Sequence, residues 1–278
     1  MLRAHGVEVI GVETASREEL NQWEVNEGVQ RYRRVQVFPD ATFEHVPPKE
    51  MERGMWDALD ELQPDAVGIM SYGFPDARAA LGWCRARRKT AIIMTDTKED
   101  DAPRVAWRET IKRAIVGEFD AALAAGKPQA AYLKKLGFPS SHIFTGYDVV
   151  DNEYYRTGAA EARANREAVS HLPGLSDSRP FFLSINRLLP YKNIDSLIQA
   201  YAAYRARAAE PWRLLLVGDG PDRDRLAAYA RELSVEDVVF CGYQQAATIT
   251  AYYGLASAFV HPSKKDTWGL VVNEAMAA

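Results

Sequence analysis

Residues 256–278 have the sequence ASAFV, HPSKKDTW, GLVVNEAMAA: an apolar run, a polar loop and a second apolar run. The first run, closed by Pro262, predicts a buried strand, whereas the apolar residues after Gly269 recur at helical spacing. A helix that begins just beyond a strand points the free N–H groups of its first turn at whatever lies there. We therefore expect a strand–loop–helix unit that binds an anionic or hydroxyl-rich ligand.

Two carboxylates eight residues apart, Asp266 and Glu274, border the predicted loop and helix. A carboxylate within an apolar helix is costly to bury unless a group hydrogen-bonds to it, and a sugar ring or a ribose could do so for Glu274. Two simpler interpretations stay open: Glu274 on a solvated helix face, and Asp266 as the N-cap of the helix. The spacing favours a shared role, because it places both acids beside one cleft.

In the pattern HPSxxDxxGLVxxEAMAA, this segment resembles the Glu-x7-Glu segment of retaining glycosyltransferases of family four. That family has the GT-B fold, in which two Rossmann-like parallel-sheet domains face a cleft. The resemblance implies that Asp266, which stands where the family has glutamate, contacts the donor sugar, and that Glu274 holds the ribose of the nucleotide. It extends the donor site to the residues that follow Asp266, namely Thr267, Trp268, Gly269 and Leu270.

Two cations, Arg187 and Lys192, follow the predicted strand of residues 181–185. Permanent cations beside free helix N–H groups suit a diphosphate, although a pair of exposed cations is also common on protein surfaces. In the order RLxxxKN, VGDGP, FCGY and D-x7-E, the motifs after residue 181 resemble the same family. The resemblance makes Arg187, Lys192 and Asp266 the catalytic candidates. It also predicts close backbone approach to the nucleotide at Gly218 and Gly220, and the base near Tyr243.

Alternation of predicted strands and helices indicates α/β domains with parallel sheets. We expect an acceptor-side domain over residues 1–155, a linker over 156–179 that is rich in Ala, Arg and Ser, and a donor-binding domain over 180–278. The first strand is predicted at residues 7–12, with an amphipathic stretch near residues 18–25. Compared with the family pattern, the acceptor-side domain is expected to lack its first strand, and the donor-binding domain is expected to lack its closing part. Both domains are therefore expected to be incomplete.

Polar residues follow three predicted strands of the first domain, at Tyr72, Asp96 and Lys127. Ligands of open parallel sheets bind beyond the carboxyl ends of the strands, so these residues are acceptor-side candidates. The acidic cluster of residues 96–101 has a simpler interpretation as a solvated loop. Four cations on the flank of the next helix are either a wet helix face or, by the resemblance, candidates for an acceptor phosphate: Arg104, Arg108, Lys112 and Arg113.

Composition limits the function classes. With 278 residues, 47% hydrophobic and 26% charged, and a net charge of −4, the chain is an ordinary globular protein long enough for two domains and not a general nucleic-acid binder. Its two cysteines, Cys84 and Cys241, lack metal-ligand spacing and suit a reducing cytosol. No apolar run reaches the roughly 18 residues of a membrane span, and no signal peptide is predicted, so the expected location is cytoplasmic.

The residues contain no P-loop, no metal-ligand spacing and no Gly-x-Ser-x-Gly motif, so the expected site uses neither a metal nor a cofactor. The expected partners are a nucleotide diphosphate sugar and a sugar, lipid-linked or glycoconjugate acceptor, with peripheral contact at the inner face of the membrane left open. Domain closure would then bring donor and acceptor together.

Two other functions stay open. An NAD-dependent oxidoreductase also alternates strands and helices, but it needs a G-x-G-x-x-G fingerprint that is missing from this sequence. A nucleotide-sugar binding module without transfer activity would follow if the expected incompleteness leaves the acceptor wall unfinished.

Overall fold

All strand pairs in the part of the chain that the structure describes are parallel, as expected where helices connect the strands. The computed structural model describes residues 6–19 and 32–278. The chain divides into two compact units, Met1–Tyr147 and Asp148–Ala278, and the described residues of each form an α/β unit.

The described part of the first unit contains two sheets. One is the pair β1 (Ile10–Arg17) and β2 (Arg33–Thr42), and the other has the order β3-β4-β5-β6, formed by Ala66–Met70, Thr90–Thr95, Ala121–Ala124 and Ile143–Thr145. The connecting helices are α1 (Pro48–Leu62), α2 (Pro75–Arg87), α3 (Ala106–Val116) and α4 (Lys127–Lys135). Trp83 on α2 is fully buried in the core, and its Nε1 donates a hydrogen bond of 2.8 Å to Asp60 on α1.

The second unit has one sheet of order β10-β7-β8-β9, formed by β7 (Phe181–Ile185), β8 (Arg213–Val217), β9 (Val238–Gly242) and β10 (Ala258–Phe259). Its helices are α5 (Asn152–Ala164), α6 (Ile194–Arg205), α7 (Arg223–Glu232), α8 (Ala246–Leu255) and α9 (Leu270–Ala277). Every residue of β8 is buried, as expected for a central parallel strand covered on both faces. Its successive leucines alternate between the two hydrophobic clusters that lie on opposite faces of the sheet.

The boundary between the units lies ahead of the linker predicted over residues 156–179. Helix α5 packs closely on α8, because Gly158 lies against Thr250 and Gly254 lies against the backbone of Ala159. The loop that follows is held by Arg213, which is 3% exposed and donates hydrogen bonds to the carbonyl oxygens of residues 174, 177 and 179. Residues 156–179 therefore pack within the second unit, through a small residue on α5 and through backbone carbonyls that Arg213 binds.

The first strand differs from its predicted bounds of residues 7–12. It spans Ile10–Arg17, because its parallel register with β2 continues from Ile10, opposite Arg33, to Arg17, opposite Thr42. The amphipathic stretch predicted near residues 18–25 lies largely outside the described residues. No helix within residues 6–19 and 32–278 combines the length and apolar character that crossing a membrane requires.

Candidate functional site

Three loops of the second unit lie at the carboxyl ends of β7, β8 and β10, at one edge of the sheet. Backbone hydrogen bonds join these loops. The N–H of Asn186 donates to the carbonyl of Val217 at 3.0 Å, and that of Leu188 donates to Asp219 at 2.8 Å. The N–H of Lys264 donates to Tyr191 at 3.1 Å. The loops therefore form a preorganised edge where ligands of parallel sheets bind.

The carboxylate of Asp266 joins two basic side chains. Its Oδ1 accepts a hydrogen bond of 2.7 Å from Lys192 Nζ, and its Oδ2 lies 2.7 Å from His261 Nε2. The side chain of Lys192 is 11% exposed and that of Asp266 is 25% exposed, so this ion pair is largely desolvated. The sequence predicted that Lys192 contacts the diphosphate of the donor and that Asp266 contacts its sugar. In the structure these two side chains contact each other directly.

The environment of Asp266 keeps its carboxylate ionised. Burial alone would raise the pKa of Asp266, but the hydrogen bonds from His261 and Lys192, together with the charge of Lys192, bring the pKa well below its ordinary value. The imidazole of His261 is stacked against the ring of Phe259 and has a buried Nδ1 without a hydrogen-bond partner. Asp266 is therefore an acceptor whose position is fixed from two sides.

Arg187 is exposed and lies near Lys192 through Tyr191. The Nη2 of Arg187 is 3.4 Å from the hydroxyl oxygen of Tyr191, and Lys192 Nζ lies 5.5 Å from the centre of the Tyr191 ring. The two cations thus flank one aromatic ring on the loop after β7. One of them is open to solvent and the other is held by a carboxylate, so an anion at this edge could contact both.

Gly218 and Gly220 are required by the neighbouring loop. Gly218 has φ +123°, and a Cβ there would lie 2.0 Å from the carbonyl oxygen of Asn186. A Cβ at Gly220 would lie 2.5 Å from the carbonyl oxygen of Leu188. From the sequence, these glycines were predicted to allow close approach of the backbone to a nucleotide. The structure shows close approach of the loop after β8 to the loop after β7.

Gly269 begins α9 in the left-handed region, with φ +79°, which favours glycine at this position. The exposed Thr267 and the half-buried Leu270 lie on either side of this turn. Trp268 is held by a hydrogen bond of 2.6 Å from its Nε1 to the carbonyl oxygen of Asp148. These residues surround the first turn of α9, where backbone N–H groups are available to an anion.

Glu274 is half-buried and bound by a tyrosine, so it does not lie on a solvated helix face. Its Oε2 accepts a hydrogen bond of 2.7 Å from the hydroxyl of Tyr253 on α8. Burial first, and then the neighbouring Glu274, raise the pKa of Tyr253 and of Tyr155, so both phenols remain donors. The sequence predicted that some group hydrogen-bonds to Glu274, but it did not indicate which one. Both tyrosines lie on other helices, outside the motif that contains Glu274.

Tyr243 follows β9 and is half-buried at the same edge of the sheet. His261 was part of the quoted motif but was given no role there, and in the structure it contacts Asp266. Within residues 6–19 and 32–278, no cluster of three or more His, Cys, Asp or Glu side chains is placed to hold a metal ion.

The acceptor-side candidates lie in the first unit, where Tyr72 follows β3, Asp96 follows β4 and Lys127 begins the helix after β5. These strands are neighbours in the sheet, so the three residues share its carboxyl edge. Burial raises the pKa of the Tyr72 phenol, which therefore stays protonated. The side chain of Gln129 donates a hydrogen bond of 3.0 Å to the backbone oxygen of Asp96 and fixes that loop.

Two of the cations predicted as candidates for an acceptor phosphate, Arg104 and Lys112, make internal contacts. Lys112 Nζ donates to Glu109 at 2.8 Å and to the hydroxyl of Tyr132 at 3.2 Å. Arg104 donates to the backbone oxygens of residues 98 and 99, and its guanidinium lies 4.4 Å from the centre of the Tyr132 ring. These groups stabilise the loop between β4 and α3.

Comparison with known proteins relates part of the chain to one family and its fold to solved structures. Residues 165–278 match the family model described as glycosyl transferases group 1. Among solved structures, WaaG, a glycosyltransferase involved in lipopolysaccharide biosynthesis, aligns over 99% of this chain and 72% of its own, with a TM-score of 0.63 and 14% identity. Anabaena Alr3699/HepE in complex with UDP aligns over 88% and 65%, with a TM-score of 0.63 and 15% identity. The fold is GT-B, and the predicted fold class is confirmed.

The chain is also similar to curated glycosyltransferases. D-inositol 3-phosphate glycosyltransferase of Nocardia farcinica is 27% identical over 90% of this chain and 64% of its own length. GDP-mannose-dependent alpha-mannosyltransferase of Mycobacterium tuberculosis is 26% identical over 81% of this chain and 56% of its own length. The chain therefore spans about two thirds or less of these relatives. The match to the glycosyl transferases group 1 model is confined to residues 165–278.

Proposed function

We propose that this protein transfers a sugar from a nucleotide diphosphate sugar to an acceptor hydroxyl, with retention at the anomeric carbon. The observation that carries the proposal is the pair of cations, Arg187 and Lys192, on the loop after β7, with Lys192 held against Asp266. This loop is joined by backbone hydrogen bonds to the loops after β8 and β10. Such an edge suits a doubly charged leaving group.

In this proposal the cations act on the leaving diphosphate. Breaking the bond between the sugar and the diphosphate places negative charge on the phosphate oxygens, and fixed positive charge at that position stabilises the transition state. Lys192 is pre-positioned by Asp266, whereas Arg187 has an exposed guanidinium that is free to adjust. In this proposal, Arg187 and Lys192 neutralise the negative charge of the leaving diphosphate, and no metal ion or cofactor takes part.

The donor sugar is assigned to the residues around the first turn of α9. Asp266 is ionised and oriented, so it accepts hydrogen bonds from sugar hydroxyls on lone pairs that Lys192 and His261 leave open. Glu274, held by Tyr253, is assigned to the nucleotide ribose, and Tyr243 to the neighbourhood of the base. The backbone at Gly269 supplies N–H groups at a helix N-terminus.

The acceptor is assigned to Tyr72, Asp96 and Lys127 of the first unit. The names of relatives support a polar, hydroxylated acceptor, since they include D-inositol 3-phosphate glycosyltransferase and alpha-monoglucosyldiacylglycerol synthase. They also support a role in polysaccharide, glycolipid or glycoconjugate synthesis. Cys84 and Cys241 are buried free thiols, which supports a reducing, cytoplasmic setting.

The test is transfer by the purified 278-residue chain. Uridine and guanosine diphosphate sugars carrying a labelled hexose are offered with a panel of inositol phosphate, diacylglycerol and oligosaccharide acceptors. These donors follow the names of relatives and solved neighbours, which include a GDP-mannose-dependent enzyme and a complex with UDP-glucose. We expect label on an acceptor, with the anomeric configuration of the donor seen by NMR.

Three outcomes reject parts of this proposal. Binding of the donor without any transfer would make the chain a nucleotide-sugar binding module. Transfer with inversion would reject the retaining mechanism. A rise in melting temperature with nicotinamide cofactors, and none with nucleoside diphosphates, would favour the oxidoreductase that the pattern of strands and helices left open.

A further inference from the structure

Three basic side chains of the first unit lie at the end of α2, at the edge of the sheet opposite the acceptor-side candidates. They line a cleft of about 320 Å³ together with a thiol, a hydroxyl and a carboxylate: Arg85, Arg88, Lys89, Cys84, Thr90 and Asp120. Thr90 is the first residue of β4 and Asp120 directly precedes β5, so the cleft lies at the amino ends of these strands. Clefts of roughly 300 Å³ and above suit small molecules, and this one belongs to neither candidate substrate site.

Among the described residues that line this cleft, the only carboxylate is already bound. Asp120 accepts hydrogen bonds from Arg85 at 2.5 Å and from the backbone N–H of Ala91 at 2.8 Å. Burial raises the pKa of Asp120, but these hydrogen bonds outweigh burial and lower it, so the carboxylate is charged and neutralises Arg85. Burial raises the pKa of the Cys84 thiol to about 11, so the thiol adds no negative charge to the cleft.

The other two cations of the cleft are less engaged. Lys89 Nζ lies 3.3 Å from Asp65, whose side chain is fully exposed, and an ion pair so open to water contributes little. The guanidinium of Arg88 is exposed and makes no ion pair or hydrogen bond with any residue in the ranges 6–19 and 32–278. Within the described part of the chain, Arg88 is therefore unpaired and Lys89 is only weakly paired.

The end of α2 accounts for some of this charge but not for Arg88. Basic residues are favoured in the last turn of a helix, and Arg87 there also binds Asp60 at 2.8 Å. Arg88 follows that turn in the left-handed region, with φ +55°, where glycine is the usual residue. Its backbone N–H caps the carbonyls of residues 84 and 85, which needs no side chain. An arginine in this conformation costs energy, and residues held in such conformations cluster at functional sites.

We propose that this cleft binds a small phosphorylated sugar. The phosphate is assigned to Arg88 and Lys89, because a guanidinium and an ammonium donate charge-assisted hydrogen bonds to phosphate oxygens. The hydroxyl of Thr90 lies on the same lining and can donate to, or accept from, a sugar hydroxyl. A free phosphate ion would leave most of the cleft unfilled, whereas a phosphorylated sugar would use both parts. Binding here does not depend on the proposed transfer reaction.

The test is a titration of ribose 5-phosphate with the full chain, followed by the width of its phosphorus NMR line. We expect binding that is tighter than that of inorganic phosphate and that weakens as salt is raised, because charges are screened. An excess of ribose should not displace the ligand. Arg88→Gly and Lys89→Ala should each weaken binding about tenfold or more. Asp65→Asn, which removes the carboxylate beside Lys89, should strengthen binding.

The matched control for Arg88→Gly is Gln63→Gly. Gln63 follows α1 in the same left-handed region, with φ +47°, and carries no charge. Both variants should keep or raise the melting temperature, because glycine adopts this conformation freely, and only Arg88→Gly should lose the ligand. Arg187→Ala with Lys192→Ala should bind ribose 5-phosphate like the wild type, which separates this cleft from the proposed donor site.

Three results would overturn the proposal. The first is equal line broadening by the wild type and Arg88→Gly, including no broadening by either. The second is loss of binding in Arg187→Ala with Lys192→Ala, which would assign the ligand to the donor site. The third is inorganic phosphate that binds as tightly as ribose 5-phosphate, which would reduce the cleft to a contact for any anion.

Discussion

Asp266 joins three elements of the candidate donor site at a single carboxylate. It follows β10, binds Lys192 from the loop after β7, and contacts His261. The shorter side chain, where the family has glutamate, is long enough for both contacts. Because a buried ammonium without a partner is costly, the carboxylate positions Lys192 as well as contributing an acceptor to the site.

Replacing Asp266 by asparagine should destabilise the protein. Asp266→Asn keeps the shape but removes the charge, so we expect the free energy of unfolding at about pH 7 to fall by roughly 1–3 kcal/mol. Urea unfolding monitored by circular dichroism measures the change. Asp57→Asn, at an exposed position of α1, is the matched control and should be neutral.

The difference in unfolding free energy between the wild type and Asp266→Asn should depend on pH, and the direction of that dependence follows from the pKa of Asp266. The pKa of Asp266 is lower in the folded protein than its ordinary value of about 3.9, so its contribution is fully present above that value. It is lost as the pH falls from about 4 through the lower folded pKa. The gap between wild type and Asp266→Asn should therefore be constant at neutral pH and narrow in acid. A gap that stays constant in acid would contradict the assignment.

Gly218 tests the contact between two loops. Gly218→Ala would place a Cβ 2.0 Å from the backbone oxygen of Asn186 at a φ of +123°, so we expect a loss of about 2 kcal/mol or more in unfolding free energy. Gly73→Ala is the control, since its nearest heavy atom would be 3.7 Å away. Equal urea midpoints for the two variants would show that the loops relax without cost.

At the level of helices and strands, the sequence predicts the buried elements best. The sequence predicts a helix from about residue 48 to about residue 62 and strands at residues 66–70, 90–95, 181–185 and 213–217. The bounds of α1, β3, β4, β7 and β8 agree with these ranges, because each is a compact apolar or amphipathic run closed by proline or turn residues. β6 was missed, since it is only three residues long and two of them are exposed. The segment 156–179 was assigned as a linker, with a helix expected at its start, from its Ala, Arg and Ser content and its Pro and Gly residues. These features do not distinguish a mobile linker from residues that pack through small side chains.

The positions of the site loops could be predicted from the sequence, but the contacts between their side chains could not. The loops at the strand ends were predicted from the alternation of strands and helices, since parallel strands place their carboxyl ends together. The contact between Lys192 and Asp266 joins residues 74 positions apart, so no local pattern could predict it. The hydrogen bond from Tyr253 to Glu274 joins residues 21 positions apart on different helices.

Arg213 tests whether residues 174–179 belong to the second unit. Arg213→Met keeps much of the volume but leaves three backbone carbonyls without their donor, so we expect a loss of roughly 2–4 kcal/mol. Hydrogen exchange in this loop should speed up at the same time. The control is Arg231→Met at an exposed position of α7. Rapid exchange of the loop in the wild type would instead support a mobile linker.

For the whole molecule, the candidate residues divide between the two units. The donor-side residues, including Arg187, Lys192, Asp266 and Glu274, all follow Asp148, and the acceptor-side residues all precede it. If this division is functional, donor binding depends on the second unit, whereas transfer depends on both. Variants in the two units should therefore separate binding from transfer.

The most direct measurement is calorimetric titration of uridine and guanosine diphosphate into four forms of the chain. They are the wild type, Arg187→Ala with Lys192→Ala, Tyr72→Phe with Asp96→Asn, and the control Lys265→Ala, which removes an exposed cation from the loop after β10. We predict that one nucleotide binds to the wild type, the acceptor-side variant and the control with similar affinity. The Arg187→Ala with Lys192→Ala variant should bind at least about tenfold more weakly. Wild-type affinity in that variant, or an equal loss in the acceptor-side variant, would contradict the assignment of the donor diphosphate to these cations.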